Sequence, residues 1–128
     1  MTLGNPGAGQ RYAILVLTNA SAVPCRVFGY PGLQLASASS QPIATKVVRI
    51  AETAPLVTLA PGQDAYTQLH WTIVPAGDES ATTCEPLPSV LLVIPPDETA
   101  ALRTSWLGGS VCQHGMIDVT PFKPGTGP

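Results

Sequence analysis

Proline limits what this chain can fold into more than any other residue does. Fourteen prolines fall within 128 residues. Pro6, Pro24, Pro31, Pro42, Pro55, Pro61, Pro75, Pro86, Pro88, Pro95 and Pro96 leave gaps too short for long helices. Proline lacks an amide donor and clashes with the preceding helical turn, so it breaks helix interiors and avoids central strand positions. The intervals read as short strands between turn residues, the pattern of a β-sandwich or barrel. The length suits one domain with its own core and is too short to expect two, so residues 1–128 are read as a single domain.

Residues 1–10 form a Gly/Pro/Asn leader or hairpin turn. Arg11 to Thr18 is apolar on both faces, as a central strand is. Cys25 leads into a rigid corner, Phe28-Gly29-Tyr30-Pro31-Gly32, and then into the weakly alternating Leu33 to Ala36. Thr45 to Ala51 mixes Val47, Val48 and Ile50 with Lys46 and Arg49, an edge or half-exposed strand. Leu56 to Leu59 is a short strand. It precedes a turn in which Pro61 presets φ and Gly62 takes a positive one. Ala65 to Ile73 alternates most cleanly. Ala65, Thr67, Leu69, Trp71 and Ile73 share one face and Tyr66, Gln68, His70 and Thr72 the other, with Trp71 in the core and His70 outward. Pro75 to Thr83 reads as a mobile loop. Ser89 to Ile94 is a buried strand, Pro95-Pro96-Asp97-Glu98 a rigid turn, and Ala100 to Leu107 the returning strand. Met116 to Thr120 reads as the last strand, with Ile117 and Val119 inward, and residues 121–128 as a flexible tail.

Three cysteines leave one unpaired or paired elsewhere. If Ser89–Ile94 and Ala100–Leu107 form an antiparallel hairpin, its turn contains the midpoint of positions 84 and 112. Cys84 and Cys112 then meet at the hairpin's open end. A bridge between them would contribute roughly 3–4 kcal/mol on the chain-entropy model. By the same logic, a strand preceding Met1 would fold back on Arg11–Thr18 and start beside Cys25. Cys25 is therefore expected as a free thiol whose partner lies upstream. The alternatives are a buried free thiol and a Cys25–Cys84 bridge.

No catalytic constellation is legible. His70 has no serine or cysteine in an activating context, and His114 beside Gly115 reads as a solvated loop residue. Asp78, Glu79 and Glu85 fall near one loop, Asp97 and Glu98 in another turn. Paired carboxylates serve glycoside hydrolysis or calcium binding, yet neither D-x-D spacing nor an EF-hand pattern is present. Cys112-x-His114 is too sparse for a structural zinc site. No metal and no cofactor is expected. Tyr30, Tyr66, Trp71 and Trp106 make a sugar-stacking platform only if two are exposed together. The candidate ligand contacts are Tyr30, Tyr66 and His70.

The order of motifs resembles an actinobacterial domain of unknown function common in secreted proteins and lipoproteins of mycobacteria and streptomycetes. The likeness runs from Leu15-x-Leu17-Thr18-Asn19 through Cys25, Gly29-Tyr30-Pro31-Gly32-Leu33 and Leu59-Ala60-Pro61-Gly62. It continues with Cys84-x-Pro86, Leu92-x-Ile94-Pro95-Pro96-Asp97-Glu98-Thr99 and Cys112, nearly the whole chain. The resemblance implies an extracytoplasmic, Ig-like β-sandwich with four cysteines, the first upstream of a leader like Gly4–Gln10. That cysteine is absent here, which agrees with an orphan Cys25. The family carries no assigned activity, so no catalytic residue transfers.

Composition narrows the partners. Charged residues make up 11% of the chain, against about a quarter in ordinary globular proteins, a composition common in secreted proteins. Net charge is −2 and the six basic residues are scattered singly, which argues against nucleic acid and against an electrostatic membrane surface. The longest apolar runs span a few residues, such as Val90–Ile94, whereas a membrane-crossing helix needs about 20. The start, MTLGNPGAGQ, is not a signal peptide; an export signal, with or without a lipid anchor, is expected to precede it. The reading is therefore an all-β, Ig-like antiparallel sandwich acting as a non-enzymatic cell-envelope or secreted binding or structural module. Its expected partner is an unknown protein or glycan of the envelope, with the membrane reached only through a lipid anchor and a monomer or edge-strand dimer as its state. The alternative is a carbohydrate-binding module or hydrolase using exposed aromatics and the 78–85 carboxylates.

Overall fold

A computed structural model describes residues 1–96 and 98–128. Asp97, expected in the Pro95–Glu98 turn, lies outside the described residues. The strands in chain order are β1 (Thr2–Leu3), β2 (Gln10–Thr18), β3 (Cys25–Val27), β4 (Gly32–Ala36), β5 (Lys46–Arg49), β6 (Val57–Leu59), β7 (Asp64–Thr72), β8 (Val90–Ile94), β9 (Leu102–Ser105), β10 (Met116–Val119) and β11 (Lys123–Pro124). A four-residue turn of helix, α1 (Cys112–Gly115), precedes β10.

The larger sheet has the order β1-β2-β7-β10-β5, with β11 also on β7. A three-stranded sheet, β4-β8-β9, packs over it, and β3 pairs with β6. The fold is an all-β sandwich. Its main core joins Ala13, Leu15, Leu69, Trp71, Ile117 and Val119 from one sheet to Leu35, Leu91, Val93 and Trp106 from the other. A second cluster of Val27, Val57, Leu59, Ala65 and Phe122 fills the end below β3 and β6.

The alternation in β7 places Leu69 and Trp71 inward, 1% exposed each. Trp71 packs at a tilt of 51° against Trp106, with ring centroids 4.7 Å apart. Gly108 lets the chain cross these rings, since a Cβ there would lie 2.4 Å from Trp71. The β8–β9 hairpin pairs Val90 with Ser105 and Val93 with Leu102, centring its turn on Pro95–Ala100.

Several expectations are corrected. The sheet is not wholly antiparallel, because β10 pairs with β5 in parallel. β2 does lie inside the sheet, between β1 and β7, but its outer face leaves Tyr12 and Val16 exposed. Ile73 is 40% exposed because β7 ends at Thr72. The leader is more than a turn: Thr2 and Leu3 pair with Ile14 and Ala13, so Gly4–Gly9 closes a hairpin within the chain. The expected tail is anchored at its start. Pro121 and Phe122 are fully buried, and Lys123 pairs with Tyr66. The register on β7 shifts by one residue between Val119↔Leu69 and Lys123↔Tyr66. That shift marks a bulge. There Thr120 Oγ1 accepts from the Gln68 amide, while Thr67 Oγ1 donates to the Thr120 carbonyl.

Candidate functional site

The two ends of the β2–β7 ladder carry the residues with chemical potential. At the Gln10–Thr72 end, Cys84 and Cys112 are joined, with Cα atoms 5.3 Å apart. This staple clamps the 75–85 loop to the turn before β10. Gln113 and His114 in that turn have φ of +58° and +59°, a left-handed conformation that costs non-glycine residues energy. It turns both backbone N–H groups toward one carboxylate. Glu79 Oε1 accepts from the amides of Ala76 and Gln113, each at 2.7 Å, and Oε2 from the His114 amide at 2.9 Å. The loop expected to be mobile is thus pinned by an acidic side chain only 1% exposed.

Around Glu79 stand Glu85, His114 and Asp78. Burial alone raises the Glu79 carboxyl, but the hydrogen bond with Glu85 and the three backbone N–H groups outweigh it and hold Glu79 at about 2. Glu85 is pushed up, first by its hydrogen bond to Glu79 and then by burial. His114 is pushed up by its hydrogen bond to Asp78, Nε2 to Oδ1 at 2.9 Å. Glu79, Glu85 and His114 bring one nitrogen and two carboxylate oxygens within 4.8 Å of one another, close enough to hold a proton or a cation in common.

At the Thr18–Asp64 end an apolar groove of about 370 Å³ opens between the two sheets. Its walls include Leu17, Cys25, Val27, Leu59, Pro96 and Leu102. Cys25 is a free, half-buried thiol there. Asn19, 6% exposed, shapes the rim. Its amide donates to the carbonyls of Val23 and Leu59, and its Oδ1 accepts from Ser21.

The structure scatters the three expected ligand contacts. Tyr66 is 6% exposed, because the bulge after β10 lays β11 beside it; it is not a surface contact. Tyr30 packs half-buried against the core, donates to the Ile50 carbonyl at 2.7 Å and carries Arg49 over its ring. His70 faces outward but is held between Asp118, at 2.8 Å, and Gln10. What sequence reasoning missed is the meeting of His114 with Glu79 and Glu85. The signal was present, since Glu85 follows Cys84 and His114 lies two residues after Cys112, so a bridge between the cysteines draws both together.

Residues 1–123 match the family model described as a domain of unknown function, DUF4232. The chain belongs to this family. No curated protein and no solved structure matches it. In this DUF4232 chain the acidic loop, the staple and the Cys25 groove all fall within the matched span.

Proposed function

We propose that this DUF4232 domain is a non-enzymatic binding module of the cell envelope or of secreted proteins, acting outside the cytoplasm and taking a protein partner. The observation that carries this reading is the groove at the Thr18–Asp64 end. It encloses about 370 Å³, its walls are mostly apolar, and no aromatic or histidine side chain is among the residues that line it. Sugar recognition relies on exposed aromatic faces, yet Trp71 and Trp106 are 1% and 5% exposed. An apolar groove rimmed by Arg26 and Glu98 suits a peptide segment with apolar side chains. The Cys84–Cys112 pair supports an oxidising compartment.

Protease shaving of intact native cells tests the compartment, and affinity capture from the envelope tests the groove. The full-length protein is expected to be shaved. Wild type is expected to capture a protein that Leu102→Arg does not, Leu102 being 49% exposed and so tolerant of the change. A protected, cytoplasmic protein overturns the compartment, and identical capture by the variant overturns the groove.

A further inference from the structure

The stapled end of the molecule assembles a donor set that the groove does not use. Glu79, Glu85 and His114 each offer one ligand atom, all within 4.8 Å of one another. His114 Nδ1 lies 3.4 Å from Glu85 Oε2 and 3.8 Å from Glu79 Oε2. A tetrahedral site with bonds of about 2.0–2.1 Å has ligand-to-ligand edges of roughly 3.3 Å. Small side-chain adjustments would therefore close these three atoms on one ion.

The far side of the imidazole supplies an independent argument. Asp78 Oδ1 accepts from His114 Nε2. In the neutral ring this leaves the Nδ1 lone pair turned toward two carboxyl groups. A lone pair facing carboxylate oxygens is repulsive unless positive charge sits between them, as a proton or as a metal ion. A carboxylate behind the outer nitrogen is also the usual support of a metal-ligating histidine, fixing its tautomer and raising its basicity. Glu79 is oriented in advance by three backbone N–H groups. One imidazole nitrogen with two carboxylate oxygens suits a divalent transition ion better than Ca²⁺ or Mg²⁺, which favour all-oxygen shells. The His114 side chain is 52% exposed, so a fourth position faces solvent.

We propose that Glu79, Glu85 and His114 form a binding site for a divalent transition-metal ion of the Zn²⁺ type, with Asp78 supporting the histidine and the Cys84–Cys112 bridge clamping the two ligand-bearing segments. Binding releases the proton that otherwise lies among these groups. The proposal depends on neither the groove nor the compartment.

Chelator-treated protein is titrated with Zn²⁺ by calorimetry and with Co²⁺ by visible absorption. One ion per chain is expected. His114→Ala and Glu85→Gln should weaken binding at least tenfold, and Asp78→Asn roughly tenfold, since it removes the carboxylate that orients the ligating imidazole. His70→Gln, which removes the other histidine, should leave affinity unchanged. Circular dichroism confirms that each variant is folded; Glu79 is left intact because its carboxylate holds the loop. No stoichiometric binding at millimolar Zn²⁺ overturns the proposal. So does binding that survives His114→Ala and disappears with His70→Gln.

Discussion

The two ends of the β2–β7 ladder are held by different means. The ladder runs from Gln10↔Thr72 to Thr18↔Asp64, so its ends lie roughly 27 Å apart at about 3.4 Å per residue. One end is polar, ionised and covalently closed. The other is apolar, open and held by the hydrogen bonds of Asn19. Backbone strain is distributed accordingly. Among the described residues, non-glycine positive φ occurs at Ser40, Cys84, Gln113 and His114. Three of these belong to the stapled end. Each left-handed residue costs roughly 1–2 kcal/mol, and the bridge contributes about 3–4 kcal/mol. The two are of the same size. A covalent link therefore lets the chain hold a strained turn that aims backbone amides and an imidazole at one spot. The open end reverses direction with Gly62 instead, at φ +82°.

The sharpest way to break this contrast is to cut the staple. A Cys84→Ser/Cys112→Ser double variant should lose about 3–4 kcal/mol in chemical denaturation, whereas Cys25→Ser should not. At the open end, Asn19→Ala should cost about 1–3 kcal/mol, because it removes the Asn19 donor from the buried Leu59 carbonyl of β6 and unties the 19–23 turn; urea midpoints measure it.

Acidity separates the ends more gently. In chelator-treated protein His114 is raised above its ordinary value by Asp78. Its contribution is full below the unfolded value of about 6.5 and is lost as pH rises through the folded one. Glu85, also raised, acts in the same direction. Glu79, lowered to about 2, contributes above its ordinary value of 4.5 and loses that contribution as pH falls toward 2. The thermal midpoint should thus decline from neutral to alkaline pH, and less so in His114→Ala; an identical decline in both removes His114 from the account. The smallest effect is expected at Cys25. Cys25→Ser should change stability by less than about 0.5 kcal/mol. In the native protein a maleimide should label Cys25 alone, which intact-mass spectrometry reads directly.

Much of the scaffold was legible. The alternation over Ala65–Ile73 located Trp71, because period two is a local property of one strand. The Pro95-Pro96 turn located the β8–β9 hairpin, and the midpoint of Cys84 and Cys112 falls in the same turn. The remainder depends on partners distant in sequence. Pro121-Phe122-Lys123-Pro124 looks like a frayed end, yet Phe122 is a core residue because a bulge turns it under β3 and β6. Tyr66 follows the outward parity of β7, but β11 covers it. Nothing local announces a parallel β5–β10 pair or a left-handed turn at Gln113 and His114, since neither residue is glycine. Glu79 and His114 meet only through backbone amides and a bridge that closes 28 residues.

The placement of β10 governs the order in which this protein acquires its structure. β10 lies between β7 and β5, bonding antiparallel to one and parallel to the other. A chain emerging from its N-terminus can form the β2–β7 ladder early. It cannot seat β5 in the large sheet until residues 116–119 have appeared. Until then β7 presents an unpaired edge, and the inner face that will meet Ile117 and Val119 stays uncovered. Non-local pairings of this kind close slowly, so the nascent chain stays pliable and vulnerable to edge-to-edge association until residues 116–119 arrive.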